Sequence, residues 1–206
     1  DRLEEFASVV SHDLRNPLNV VRGRVTLAKR VHPDNEHLIE VEPALDRMDE
    51  IIEETLTLAR EGKIVDDADD TDLAACASAC WSRVDTADAT LRVDGSMTVR
   101  ADRDRMSHVF ENLFRNAVEH GGEDVTVRVG VLEGEDGFFV VGDGSGIAEK
   151  DFDQVLETGY TSSRDGTGYG LSIVERIVDA HGWELRIAEG SEGGTRIEVG
   201  GVDRLS

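Results

Sequence analysis

His12 stands outside the apolar series of the helical pattern around it and is followed by Asp13, with Asn16 and Pro17 one turn further on (SHDLRNPL). A solvent-facing imidazole beside a carboxylate has the makings of a nucleophile, because the carboxylate takes the proton of one ring nitrogen and leaves the other to attack. Asn16, at i+4, shares that face and is suited to orienting a water. Most exposed histidines have no chemical role, but Pro17 adds weight, since proline in a helix interior costs about 3 kcal/mol and a kink kept beside His12 points to a local need. Later in the chain Asn112, Asn116 and His120 recur at four-residue spacing on one helix face. Amide oxygens so placed suit a hard cation such as Mg²⁺, and an ordinary polar helix face has the same spacing. Two glycine clusters complete the set, DGSGI (Asp143 to Ile147) after an apolar strand and GTGYG (Gly166 to Gly170) at the start of a helix. Glycines admit a ligand close to the backbone, and free amides at a helix N-terminus hold phosphate. The Asp143 carboxylate is wrong for phosphate and suits the exocyclic amine of a base.

These residues need elements to hold them. Apolar residues at Leu3, Phe6, Val10, Leu14, Leu18, Val21, Val25 and Ala28 recur in steps of three and four, which predicts a long amphipathic helix. His32-Pro33-Asp34-Asn35 stops it, and Leu38, Val41, Leu45, Met48, Ile52, Leu56 and Ala59 predict a second helix. One apolar stripe per helix cannot close a core, so this antiparallel hairpin is expected to dimerise into a four-helix bundle. Residues 1–62 are assigned to the hairpin and the acid-rich stretch 63–72 to a linker. In residues 73–206, Leu73 to Val84 predicts a helix, TLRV and MTVRA short strands, and Asp102 an N-cap to a helix ending at Gly121. Strands DVTVRVGVLEG and GFFVVGD, a helix LSIVERIVDAHG and a closing hairpin WELRIAEG…GGTRIEVGG follow. The fold class is α+β, with helices on one face of a mixed sheet.

Composition bounds the function. The chain has 206 residues, with Lys+Arg 22 against Asp+Glu 44 and a formal net charge of −22. Such a charge repels nucleic-acid phosphates, so nucleic-acid binding is disfavoured. The acid excess is spread along the chain and lysine is confined to Lys29, Lys63 and Lys150, a pattern similar to proteins of salt-in halophiles. Cys76 and Cys80, four apart in an Ala-rich segment, read as small apolar helix residues rather than a disulfide or metal site. No run is apolar enough to span a membrane, and the chain opens on Asp1 inside a helical pattern, as if cut from something longer. A cytoplasmic location is expected, with membrane attachment only through upstream segments.

Taken in order, the motifs resemble the catalytic core of a sensor histidine kinase, a phosphoacceptor hairpin followed by an ATPase domain of the Bergerat type, and haloarchaeal members in particular. SHDLRNPL is similar to the H box, ENLFRNAVEHG to the N box, GDGSGI to the first glycine box, GTGYGLSIV to the second, and Gly193 to Thr195 to a trailing glycine motif. The resemblance implies His12 as phosphoacceptor, Asp13 as its proton acceptor and Asn16 as the residue that positions water in a phosphatase reaction. It implies Mg²⁺ on Asn116, a phosphate-side contact from Asn112, and the adenine amine on Asp143. The implied ATP-binding set also includes His120, Gly144, Gly146, Ile147, Gly166, Thr167, Gly168, Gly170 and Leu171, with a lid from about Phe152 to Thr167. A homodimer and a response-regulator receiver domain are the implied partners, with ATP and Mg²⁺ as cofactors.

Three positions depart from or qualify the pattern. Hydrolytic relatives in the superfamily carry a water-activating glutamate four residues before the Mg²⁺-binding asparagine. Here that place is Asn112, a poor base, while Glu111 points about 100° away, so transfer to histidine is favoured over hydrolysis. A lysine common three residues after Asn116 is replaced by Glu119, which must turn to solvent or be offset by Arg115 or Arg164. Phe152 is the one phenylalanine of a thin F box. The alternative is a phosphatase-dominant or non-catalytic nucleotide-binding scaffold, and a second is an ATP-hydrolysing conformational machine.

Overall fold

The computed structural model describes residues 2–61, 65, 68–86, 88–122, 124–152, 154–156, 160, 168–191 and 193–205, without the side chains of 2–12, 42, 50 and 53–61. It divides into two units, Asp1–Arg60 and Glu61–Ser206.

The first unit is a helical hairpin of α1 (Arg2–Val31) and α2 (Glu36–Glu61). Proline ends the first helix at residue 33, and Asn35 caps the second by accepting the Leu38 N–H on Oδ1 at 3.3 Å. Leu18 and Leu45 are buried between the helices. Arg22 of α1 reaches Asp46 at 3.0 Å and Asp49 at 2.5 Å on α2. Leu14, Val21 and Met48 are about half exposed, at 47%, 46% and 55%. The apolar stripes predicted from sequence are therefore only partly covered by the hairpin itself. Pro17 sits inside α1 and Pro43 inside α2.

The second unit pairs five strands in the order β2 (Thr90–Asp94), β4 (Thr126–Val131), β5 (Gly137–Gly142), β7 (Thr195–Gly200), β6 (Glu184–Glu189). β2 and β4 run parallel and the remaining pairs antiparallel, so the sheet is mixed. A second sheet joins β1 (Asp69–Asp72), β3 (Thr98–Ala101) and β8 (Arg204–Leu205). Among the described residues, the α-helices α3 (Leu73–Trp81), α4 (Arg103–Gly121) and α5 (Gly170–Ala180) and one 3-10 turn, Glu149–Asp151, complete the unit.

The strands' period of two sorts the five-stranded sheet into faces. Phe138 and Val140 are buried, and Phe138 meets Phe110 of α4 with ring centroids 5.6 Å apart, which puts the helices on that face. The opposite face carries Arg196, stacked 3.6 Å over Phe139 and 2.6 Å from Glu198, and the pair Arg128–Asp94 at 2.7 Å. Fully buried Met106, Phe110, Phe114, Ile173 and Ile177 fill the space between α4, α5 and the sheet.

Two details differ from the sequence expectation. Asp69–Asp72, read as the end of the linker, pair antiparallel with Thr98–Ala101. Backbone pairing needs no apolar pattern, and only Thr71 of this strand is buried. The helix expected to reach Val84 ends at Trp81, capped by Ser82.

Candidate active site

Three pieces of chain carry the residues expected from sequence at a nucleotide site. The first is α4, started by Asp102, whose Oδ1 accepts the N–H groups of Asp104 and Arg105 at 3.0 and 3.1 Å. Its apolar face anchors it through Met106, Phe110 and Phe114, and Asn112 lies buried among them. The Asn112 amide nitrogen donates to the His108 carbonyl at 2.8 Å, so its oxygen is the atom left to face α5.

The second piece is the start of α5. Gly168 has φ +77°, and Tyr169 opens the helix without a side-chain cap. Gly170 follows so close to α4 that a Cβ there would lie 3.2 Å from Asn116 Oδ1 and 3.3 Å from Asn112 Oδ1. The helix start, with its uncapped N–H groups and the positive end of its dipole, is thereby set beside two amide oxygens. Ser172, buried one turn in, donates to the Tyr169 carbonyl at 2.9 Å and stiffens that turn. Leu171 continues the first turn of α5, half-buried.

The third piece is the loop from Asp143 to Ile147. Oδ1 of Asp143 accepts the Thr126 N–H at 2.7 Å, which aims an exposed carboxylate from the end of β5. Behind it the backbone is packed too tightly for side chains. A Cβ on Gly144 would meet Gly121 at 2.2 Å, and one on Gly146 (φ +68°) would meet Gly194 at 2.7 Å. Ser145 donates its hydroxyl to the His120 carbonyl at 3.0 Å, and the Ile147 N–H donates to Thr195 Oγ1 at 2.7 Å. The loop is thus pinned on one side by the end of α4 and on the other by the β6–β7 turn.

Asn112, Asn116, Gly168, Gly170, Leu171, His120, Asp143, Gly144, Gly146 and Ile147 therefore belong to one unit and to these three pieces. Gly166 and Thr167 lie outside the described residues, as does most of the expected lid after Phe152. Glu111 pairs with Arg83 at 3.2 Å, away from the asparagines, and Glu119 is exposed. Sequence reasoning missed Thr126, Ser145 and Thr195 as supports of the Asp143 loop. Thr195 lay within the flagged GGT motif, but its bond to Ile147 spans 48 positions and has no local signal. In the hairpin, His12 lies within α1 with its side chain outside the described residues, and Asp13 and Asn16 are exposed on the same helix.

Residues 101–203 match the model of the histidine kinase-, DNA gyrase B- and HSP90-like ATPases. The chain belongs to this family. Residues 2–63 match the His Kinase A phospho-acceptor domain, so the chain carries both parts of a histidine kinase catalytic core. Among curated relatives of this core, the methanogenesis regulatory histidine kinase FilI of Methanothrix harundinacea is 30% identical over 93% of this chain and 23% of its own length. Sporulation kinase A of Bacillus subtilis is 27% identical over 95% of this chain and 34% of its own. The chain spans well under half the length of these relatives. Among solved structures, full-length ShkA in complex with AMPPNP is 22% identical with a TM-score of 0.74, covering 98% of this chain and 46% of that one. The mycobacterial sensor histidine kinase MprB gives a TM-score of 0.59 at 22% identity, covering 67% of this chain and 99% of that one. At these identities the likeness is one of fold. None of the described helices of this kinase core is long and apolar enough to cross a membrane.

Proposed function

We propose that the chain transfers the γ-phosphoryl group of ATP to His12 and then to an aspartate of a response-regulator receiver domain. The observation that carries this reading is the meeting of Asn112, Asn116 and the uncapped start of α5 at Gly170, on a chain that also matches a phospho-acceptor domain. ATP phosphates accept the N–H groups around Gly168, Gly170 and Leu171, with Asn112 on the phosphate side. The oxygen donors of the asparagines fit a hard cation, and Mg²⁺ on Asn116 would neutralise charge between the phosphates. Asp143 receives the adenine amine on the carboxylate oxygen not held by Thr126, and Gly144, Gly146 and Ile147 let the base lie against the backbone. His120, Gly166 and Thr167 complete the site.

In the transfer, an imidazole nitrogen of His12 forms a bond to the γ-phosphorus as the bond to the β,γ-bridging oxygen breaks and ADP leaves. The proton of the other ring nitrogen passes to Asp13. Asn16 aligns a water in the reverse, phosphatase direction. The ion pair of Glu111 with Arg83 supports transfer over hydrolysis, because the one carboxylate next to Asn112 is engaged elsewhere. The half-exposed Leu14, Val21 and Met48 support a homodimeric four-helix bundle. The charge of −22 supports a salt-rich cytoplasm, with residues between the hairpin and β1 serving as linker.

The test is incubation with Mg²⁺ and γ-labelled ATP. Asn116→Ala is expected to lose covalent labelling by about 100-fold or more, as loss of a transition-state charge contact does, and labelling equal to that of the unaltered chain would overturn the assignment.

A further inference from the structure

α4 and α5 lie antiparallel. The start of α5 meets the second half of α4 at Asn112 and Asn116, and the end of α5 returns to the start of α4. At that far end His181, the residue closing α5, makes two hydrogen bonds through its ring. Nδ1 bonds the Ile177 carbonyl at 2.8 Å and Nε2 bonds the Asp102 N–H at 3.1 Å. A carbonyl only accepts and an amide N–H only donates, so both bonds are made by the neutral imidazole with its proton on Nδ1. The ring also stacks on Trp183, with centroids 4.4 Å apart and planes at 30°. Beside it the Val65 N–H donates to the Ala180 carbonyl at 3.1 Å.

The two ring bonds have different reach. The Nδ1 bond stays within the last turn of α5, whereas the Nε2 bond crosses from α5 to the residue that caps α4. Asp102 and Asn116 are about 20 Å apart along the axis of α4. Both helices are rigid over that length, so a slip of one past the other at His181 reappears at Gly170. The tolerance there is small, because even a Cβ on Gly170 would stand 3.2 Å from Asn116 Oδ1, so the two amides would have to shift by a few tenths of an ångström to admit it.

We propose that His181 is a positioning residue for the nucleotide site, holding α5 in the register that sets its uncapped start against Asn112 and Asn116. This rests on the nucleotide-site reading above. Without the crossing bond, only a fraction of molecules present the site in register, and the apparent affinity falls by that fraction.

The test compares the full chain with His181→Asn and His181→Gln by calorimetric titration with Mg-ATP, alongside a thermal melt of each. An asparagine amide reaches about as far as Nδ1 and keeps only the local bond, whereas a glutamine oxygen reaches the place of Nε2 and accepts from Asp102. Kd is expected to rise about five- to tenfold in His181→Asn, the worth of about one hydrogen bond. In His181→Gln it is expected to stay within about twofold of the unaltered chain. Equal affinities of the two variants, whether both normal or both weakened, would overturn the proposal, as would loss of a cooperative melt in both. Failure of the unaltered chain to bind ATP would instead overturn the nucleotide-site reading, and the proposal with it.

Discussion

Glycine at residues 170 and 194 does two different jobs, and substitution separates them. A Cβ on Gly170 would sit 3.2–3.3 Å from the amides of Asn112 and Asn116, a crowding that side chains can relieve by small shifts. Gly170→Ala is therefore expected to fold, with a melting temperature close to that of the unaltered chain, and to bind Mg-ATP more weakly by about tenfold, because the relief comes from the ligand-facing amides. Gly194 has φ +75°, and a Cβ there would overlap the Gly142 carbonyl oxygen. Gly194→Ala is expected to cost about 3 kcal/mol of stability or more, combining left-handed backbone strain with overpacking. Titration and thermal melts of both variants check the contrast, and equal melting temperatures would contradict it. Both glycines lie in motifs that the sequence singled out, but which one approaches the asparagine amides and which approaches backbone emerges only from the packing of separate segments.

Elements were legible where local chemistry sets them. α4 begins just after its N-cap Asp102 and ends at Gly121, matching the N-cap and glycine stop legible in the sequence. β1 was not legible, since Asp69–Asp72 carries three carboxylates and owes its structure to pairing with β3, whose nearest register partner in sequence, Thr98 opposite Asp72, lies 26 positions away. Its last residue also starts α3. Asp72 Oδ1 accepts the Ala75 N–H at 2.8 Å and the Ser96 hydroxyl at 3.0 Å, and these bonds, the first above all, hold its pKa below the ordinary 3.8. The folded value is depressed, so the stabilisation is complete above the unfolded pKa and is lost as pH falls through the folded one. Asp72→Ala is expected to cost about 1 kcal/mol at neutral pH. The deficit should shrink at pH values below 3.8, which denaturant melts across pH measure, and a pH-independent deficit would contradict the capping account.

At the scale of the molecule, the hairpin leaves apolar surface that its own two helices do not cover. The sequence foretold the stripe from its spacing but could not show that Leu18 and Leu45 are buried within one chain while Leu14, Val21 and Met48 stay half exposed. Sedimentation at molar KCl, where the charge of −22 is screened over about 3 Å, is expected to report a dimer. Val21→Asp should shift it to monomer, and a dimer that survives the substitution would mean that another surface joins the copies.

The central claim is that His12 accepts the γ-phosphoryl group, and one measurement tests it most directly. The chain and His12→Ala are incubated with Mg²⁺ and γ-labelled ATP in molar KCl, and the stability of the protein-bound label is followed in acid and in base. The account predicts label on the unaltered chain that is lost in acid and kept in base, and none on His12→Ala although it still binds ATP. Label on His12→Ala, or no label on a chain that binds ATP, would contradict it.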